Sequence, residues 1–332
     1  MIKKFSREHG GTLVLVAVFM VALMAFASLS IDVGNVLTHR RYIHEATDAA
    51  AIAAVPDWAT GSSASQVISV GSTFAQTNSL KQTEILSITP GTWNATSSTF
   101  SPNVSVFGNN AVPAVQVIAQ RSVATPFLRA LTLGAQTAMS PKVESIAVVA
   151  RASAAAGVMP WAACSALGAA PAKCTVITIK NGGTCDGSGN FGSLNLVLGG
   201  GSGGGASTYK NNIVNGYGGI VRVGEIYQTE PGNMVGPTKS GLQDRVDGLP
   251  PYICSATSDP PNNKRLAIIP VTSDLGNGSS PVTILGFWTV ALGDPQGGGA
   301  VDVTFLEVFN GTEVDPTAPP VIGQLNGIAL VK

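Results

Sequence analysis

The hydrophobic pattern gives the chain three textures. From Thr12 to Ile31, twenty consecutive residues carry no charge. As a helix such a run spans roughly 30 Å, the thickness of a hydrocarbon core. Lys3, Lys4 and Arg7 precede it. Beyond it, Ile31, Val33, Val36, Leu37, Ile43, Ala46, Ala50 and Ala53 recur at broadly helical spacing, and Ala46 to Val55 is rich in alanine. Pro56 is expected to stop the helix. The pattern predicts one helix over 12–55, roughly 66 Å long, half in lipid and half outside. A cleaved signal peptide usually has a shorter apolar region and no reason to run into such a helix. Ala25-Phe26-Ala27 and Ala27-Ser28-Leu29-Ser30 nevertheless offer passable cleavage sites.

The second texture, 56–156, mixes periods. Ser62 to Leu80 is compatible with a helix. Glu84 to Thr89 alternates as a strand ending at Pro90-Gly91. Ala114 to Gln120 alternates better, Pro126 to Leu133 reads as a short helix with proline in its first turn, and Lys142 to Ser153 is a β-branched, alternating run.

From Val158 on, short apolar runs are divided by Gly, Pro, Asn and Asp. They are Cys174–Ile179, Leu194–Leu198, Ile220–Val223, Leu266–Val271, Val282–Leu292, Ala300–Phe309 and Val321–Val331. That signature is all-β. Gly199 to Gly205, glycine but for Ser202, is expected to be an exposed flexible loop.

Composition narrows the function classes. Charged residues make up 11% of 332, with 19 basic against 19 acidic. A balanced, charge-poor chain lacks the basic stripe of a nucleic-acid binder, so no nucleic-acid partner is expected. The three histidines, His9, His39 and His44, all precede residue 45. His-dependent triads and His-zinc sites are thereby excluded from the rest of the chain. Gly200-Gly201-Ser202-Gly203-Gly204 has the G-x-S-x-G form, but a nucleophile elbow needs a strand before it, a helix after it and a histidine partner. Trp58, Trp93, Trp161 and Trp288 could stack on sugar, although core packing is the plainer role. No enzyme, no cofactor and no metal is expected.

Cys164, Cys174, Cys185 and Cys254 show no C-x-x-C spacing, and structural disulfides fit them better than a zinc ribbon or a redox motif. Three pairings are possible. Cys164–Cys174, which closes a short loop, ranks first together with Cys185–Cys254. Paired cysteines suit an oxidising compartment. The basic residues before the span slightly outnumber Arg40 and Arg41 after it, which places the N-terminus in the cytoplasm.

Gly10-Gly11, the apolar run, Ser30-Ile31-Asp32-Val33-Gly34, Arg40-Arg41 and Thr47-Asp48-Ala49-Ala50-Ala51-Ile52-Ala53 together resemble the N-terminal segment of TadE/TadG-like proteins of the bacterial Tad (Flp pilus) system. The resemblance marks Asp32, Gly34, Arg40, Arg41 and Asp48 as the anchor motif. The two aspartates would mark the interface, or pair with Arg40, Arg41 or a neighbouring subunit; Asp48 also stands four residues from His44. Type IV prepilins carry a glutamate five residues after the processing glycine. Here Leu15 or Val16 stands there and 12–31 holds no glutamate, so a retained anchor is expected. Pro160-Trp161, Gly189-Asn190-Phe191-Gly192, Gly224 and Pro231 to Thr238 look like the C-terminal region of some TadG-like proteins. Asp186-Gly187-Ser188-Gly189-Asn190 is similar to the metal-binding loop of a von Willebrand type A domain, but its third oxygen ligand is an asparagine and no apolar strand leads into it. An ordinary turn is expected.

The expected architecture is α+β. A cytoplasmic basic tail (1–11) leads into a transmembrane helix (12–31) and its continuation outside the membrane (32–55). The resemblance implies that this helix packs on a small pilin-like α+β unit (56–156), followed by a mainly antiparallel, Gly-rich β domain (157–332). The implied function is a single-pass, non-enzymatic inner-membrane component of a Tad pilus-assembly or tight-adherence system, its bulk periplasmic or surface-exposed. Its partners would be the lipid bilayer and other Tad assembly proteins, or further copies of itself. The alternative is an exported surface or envelope β-protein, glycan-binding or structural, that uses the same anchor.

Overall fold

A single helix, α1 (His9–Ala59), runs for 51 residues and sets the axis of the molecule. The computed structural model describes residues 9–104, 111–164, 172–180, 188–198, 204–255, 263–306, 311, 313–315 and 325–332. From Leu13 to Ile31 the large apolar side chains of α1 stand exposed, Leu13 by 73% and Phe26 by 70%. From Ile43 onward one face is closed: Ile43, Ala46, Ala50, Ala51, Ala54 and Val55 are buried in a common core. Pro56 does not stop the helix as expected. It lies in the last turn, where its missing N–H removes only one intrahelical bond, and Thr60 still donates to its carbonyl at 3.0 Å.

The closed face of α1 lies on a sheet and a second helix. α2 (Ala64–Thr77) starts at a capping box, Ser63 with Gln66. β1 (Ile85–Asn94), β2 (Thr99–Pro102) and β3 (Ala111–Gln120) follow. Then come β4 (Val123–Ala124), a short helix α3 (Pro126–Leu131), β5 (Ala138–Met139) and the long β6 (Lys142–Ala156). β1 continues through Pro90-Gly91 rather than ending there. Pro90 turns its carbonyl to Asn103 at the end of β2, so its missing donor faces the sheet edge. Gly91 admits β2, since a Cβ there would lie 2.2 Å from the Ser101 carbonyl oxygen. Alternation on β6 separates two faces. Val143, Ala147 and Val149 join the α1 core, while Ile146, Val148 and Ala150 join Trp93, Val112 and Ala114 on the other side.

The region after 157 contains β7 (Ala163–Cys164), β8 (Val176–Lys180), α4 (Gly205–Asn215), β9 (Ile220–Arg222) and β10 (Ile226–Gln228). It continues with α5 (Val235–Val246), β11 (Leu266–Thr272), β12 (Pro281–Leu292), β13 (Val301–Phe305), β14 (Glu313–Asp315) and β15 (Asn326–Leu330). Its sheet runs β7-β11-β12-β13-β8, with β10 on β12, and is antiparallel except for the β7–β11 pair. The fold is thus α+β with mainly antiparallel sheets. Two elements depart from the all-β expectation. α4 and α5 pack Tyr209, Ile213, Leu242 and Val246 against Trp288, Val290 and Phe305 of the sheet. Glycine and asparagine around them masked the helical spacing. Leu194–Leu198 forms no strand, only a bridge from Leu194 to Thr229.

The chain end does not stay with this second sheet. β15 pairs with β6 from Asn326↔Arg151 to Leu330↔Ala147, and β14 and β9 pair with the far end of β6. β6 therefore belongs to both halves. A cluster holding Ala152 and Ala155 of β6 with Ile284 and Phe287 of β12 fills the seam.

Candidate functional site

The surface with the most informative chemistry is the length of α1 between the apolar span and the sheet. Asp32, the first charged residue after that span, is 2% exposed. Its Oδ2 accepts a 2.6 Å hydrogen bond from the Leu128 backbone N–H, in the first turn of α3. An aspartate oxygen there satisfies one of the orphan donors that every helix start leaves, and favours the positive end of the peptide dipoles.

Sixteen residues on, roughly 24 Å along the helix, Asp48 makes the second junction. Ser145 Oγ of β6 donates to Asp48 Oδ1 at 2.5 Å, and Thr47 Oγ1 lies 2.7 Å from the same Ser145 oxygen. His44 Nδ1 stands 2.8 Å from Asp48 Oδ2, so the local i, i+4 pair is formed. Neither aspartate pairs with Arg40 or Arg41 as the sequence allowed; both fasten α1 to the body of the fold. Arg40 and Arg41 are exposed and line a shallow groove with Leu37, His44 and Glu45. Gly34 is exposed, with nothing within 4 Å of where its Cβ would be. Thr47 and Ser145 were missed in the sequence. Their signal was available, because Ser145 is the polar residue between Val143 and Ala147 on the α1-facing side of β6.

A third junction was also missed. Arg121 donates to both Glu84 oxygens, at 2.8 and 2.9 Å, and to the Ser79 carbonyl at 2.7 Å. It ties the start of β1 to the end of β3. The hydrogen bond from Arg121 holds the Glu84 carboxyl below the usual carboxylate range and raises the guanidinium in turn.

The other sequence candidates have structural uses. Cys174 is bonded to Cys254, with 5.4 Å between their Cα atoms, which corrects the expected Cys164–Cys174 and Cys185–Cys254 pairing. Nearness in sequence misled, because Cys174 turns onto β13 (its N–H donates to the Phe305 carbonyl) and away from β7. Cys164 is also disulfide-bonded, and Cys185 lies outside the described residues. Asn190 is buried, and its amide donates to Thr229, Gly276 and Ser280; Asp186 and Gly187, the start of the loop expected to be a turn, lie outside the described residues. A helix, α4, does follow the G-x-S-x-G run, whose Ser202 is outside the described residues, but no described strand leads into it. Trp93, Trp161 and Trp288 are buried, and half-buried Trp58 donates to the Gly91 carbonyl at 2.8 Å. Trp161 Nε1 donates to Tyr209 Oη, whose pKa burial pushes up to about 12. Among the described residues no three His, Cys, Asp or Glu converge as metal ligands.

Two family models match the chain. Residues 10–61 match the Flp pilus-assembly TadE/G-like family, and residues 44–154 match the Tad-like Flp pilus-assembly family. The first match covers α1, and the second runs from the packed end of α1 through most of β6. No curated protein and no solved structure matches the chain.

Proposed function

We propose that this protein is a membrane-anchored, non-enzymatic component of a Tad (Flp) pilus-assembly or tight-adherence system. One observation carries the reading: a single helix is exposed and apolar over 12–31, then is built into a helix-on-sheet unit. Both family matches fall on that construction. Of the described helices, α1 is the one long and apolar enough to cross a membrane. Burying its exposed leucines, valines and phenylalanines in hydrocarbon is favourable by about 1.5–3 kcal/mol per side chain.

In this reading residues 1–11 stay in the cytoplasm, 12–31 span the inner membrane and are retained, and the two sheets stand in the periplasm. The anchor residues Asp32 and Asp48 act as fasteners that keep α1 at a fixed attitude to the sheets. Arg40 and Arg41, with exposed Val33, Leu37 and Tyr42, present a surface to other assembly proteins or further copies. The glycan-binding alternative finds less support, since the tryptophans it would use are taken up in cores and at a backbone carbonyl.

Carbonate extraction of envelopes, with a variant lacking residues 1–31 as control, tests the anchoring. The intact chain should stay in the membrane pellet and the shortened one should be released. Release of the intact chain contradicts the reading.

A further inference from the structure

The 121–141 segment is a descending ribbon whose tip has the wrong surface for water. It leaves the sheet after β3, pairs β4 with β5, touches α1 through β4 and α3, and carries α3 at its end. The Asp32–Leu128 hydrogen bond sets that end level with the first residue beyond the apolar span. Phe127 and Leu131, one helical turn apart on α3, are 41% and 49% exposed, and Met139 is 40% exposed. Leu133 is 96% exposed. It also sits at φ +52°, just past the C-cap Thr132. There Leu133 donates to the Ala130 carbonyl and Gly134 to that of Arg129, a helix-ending motif whose left-handed position glycine ordinarily fills. Thr132 Oγ1, bonded to the Leu128 carbonyl and to the Gln136 N–H, holds the turn in place. A leucine held out in that conformation points to an apolar surrounding.

We propose that this tip is a second membrane contact, an interfacial foot that dips Phe127, Leu131 and Leu133 into the bilayer beside α1. The proposal rests on the membrane-anchor reading, and it commits to lipid because the foot continues the surface that α1 offers to lipid. Exposed Arg129, on the same short helix, suits the phosphate layer. With α1 alone the body could tilt about a single point. A foot fastened at Asp32 gives two points and fixes the attitude of the sheets over the membrane.

The test uses the full chain in nanodiscs, with an environment-sensitive fluorophore on one introduced cysteine per variant: Val18→Cys, Leu133→Cys or Leu285→Cys. Ordinary lipids are compared with lipids brominated along the acyl chain. The expected result is blue-shifted emission and loss of intensity in brominated lipid at 18 and 133, with neither at 285. Quenching at 18 without quenching at 133 overturns the foot and leaves the anchor standing. A blue shift at 133 that brominated lipid does not quench means that protein, such as a second copy, covers the tip, and also overturns it. No quenching at 18 overturns the anchor and the foot together. Circular dichroism of each variant verifies folding, and Phe127→Cys gives a second position should Leu133→Cys fail to fold.

Discussion

The side chain of Asp32 caps a helix that begins 94 residues later in the sequence, through its 2.6 Å bond to the N–H of Leu128. Asp32→Ala removes the acceptor and should cost about 1 kcal/mol, as loss of a helix cap does. The effect should be local. Amide exchange at Leu128 and its neighbours should quicken in Asp32→Ala and stay close to the parent in Asp32→Asn, which keeps an oxygen. Unchanged exchange in the alanine variant would show that the bond does not hold α3.

The Glu84–Arg121 pair gives the fold a pH dependence with a fixed sign. Glu84 has a carboxyl pKa below its usual 4.5, first through the Arg121 hydrogen bond. The pair therefore contributes its full stabilisation above about pH 4.5, and loses it as pH falls through the lowered value. Glu144, lowered chiefly by Lys332, acts in the same direction, more weakly because Lys332 is largely exposed. Glu84→Gln should reduce stability at pH 7 and flatten its fall between pH 5 and 3. Arg121→Ala should cost about 1–3 kcal/mol at neutral pH. Thermal melts across that range measure both, and an unchanged slope in Glu84→Gln removes the assignment.

Cys174 and Cys254 close a loop of 80 residues. Chain-entropy reasoning assigns such a closure about 4.5 kcal/mol. Cys254→Ser should lower the melting temperature of oxidised protein, and reductant should lower that of the parent. Peptide mapping without reduction should recover a Cys174–Cys254 peptide. A Cys174 peptide linked to Cys164 would contradict the structure.

Close packing at the α1–α2 contact is tested at Gly71. A Cβ there would lie 3.2 Å from two side-chain carbons of Ile88 and 3.4 Å from Ala54 Cβ. Gly71→Val should cost about 1–3 kcal/mol through overpacking. Ile68→Ser, on the exposed face of α2, should change stability by less than about 0.5 kcal/mol. Equal effects in urea titrations would mean that α2 does not seat as described.

The sequence reveals most where one period runs long without interruption. The uncharged run Thr12–Ile31 and the alanines at 46–54 made α1 visible, and alternation in Lys142–Ser153 made β6 visible. Pro90-Gly91 hid the continuation of β1, because a proline and a glycine stop most strands, whereas here Pro90 faces the end of β2 and Gly91 makes room for β2 to pair. α4 and α5 were hidden by glycine-rich flanks, and the Cys174–Cys254 bond by its 80-residue separation. The motif residues Asp32 and Asp48 were legible as special, but not in what they do. Their partners, Leu128 and Ser145, lie 96 and 97 positions away, and only the fold brings them together.

The central claim is that this chain works as an anchored part of a Tad assembly, and piliation measures it most directly. In the native host, deletion of the gene should abolish or sharply reduce Flp-type pili and surface attachment. Expression of the intact chain should restore both, and expression of a chain lacking residues 1–31 should not. A deletion strain with parental pili and parental attachment would contradict the account.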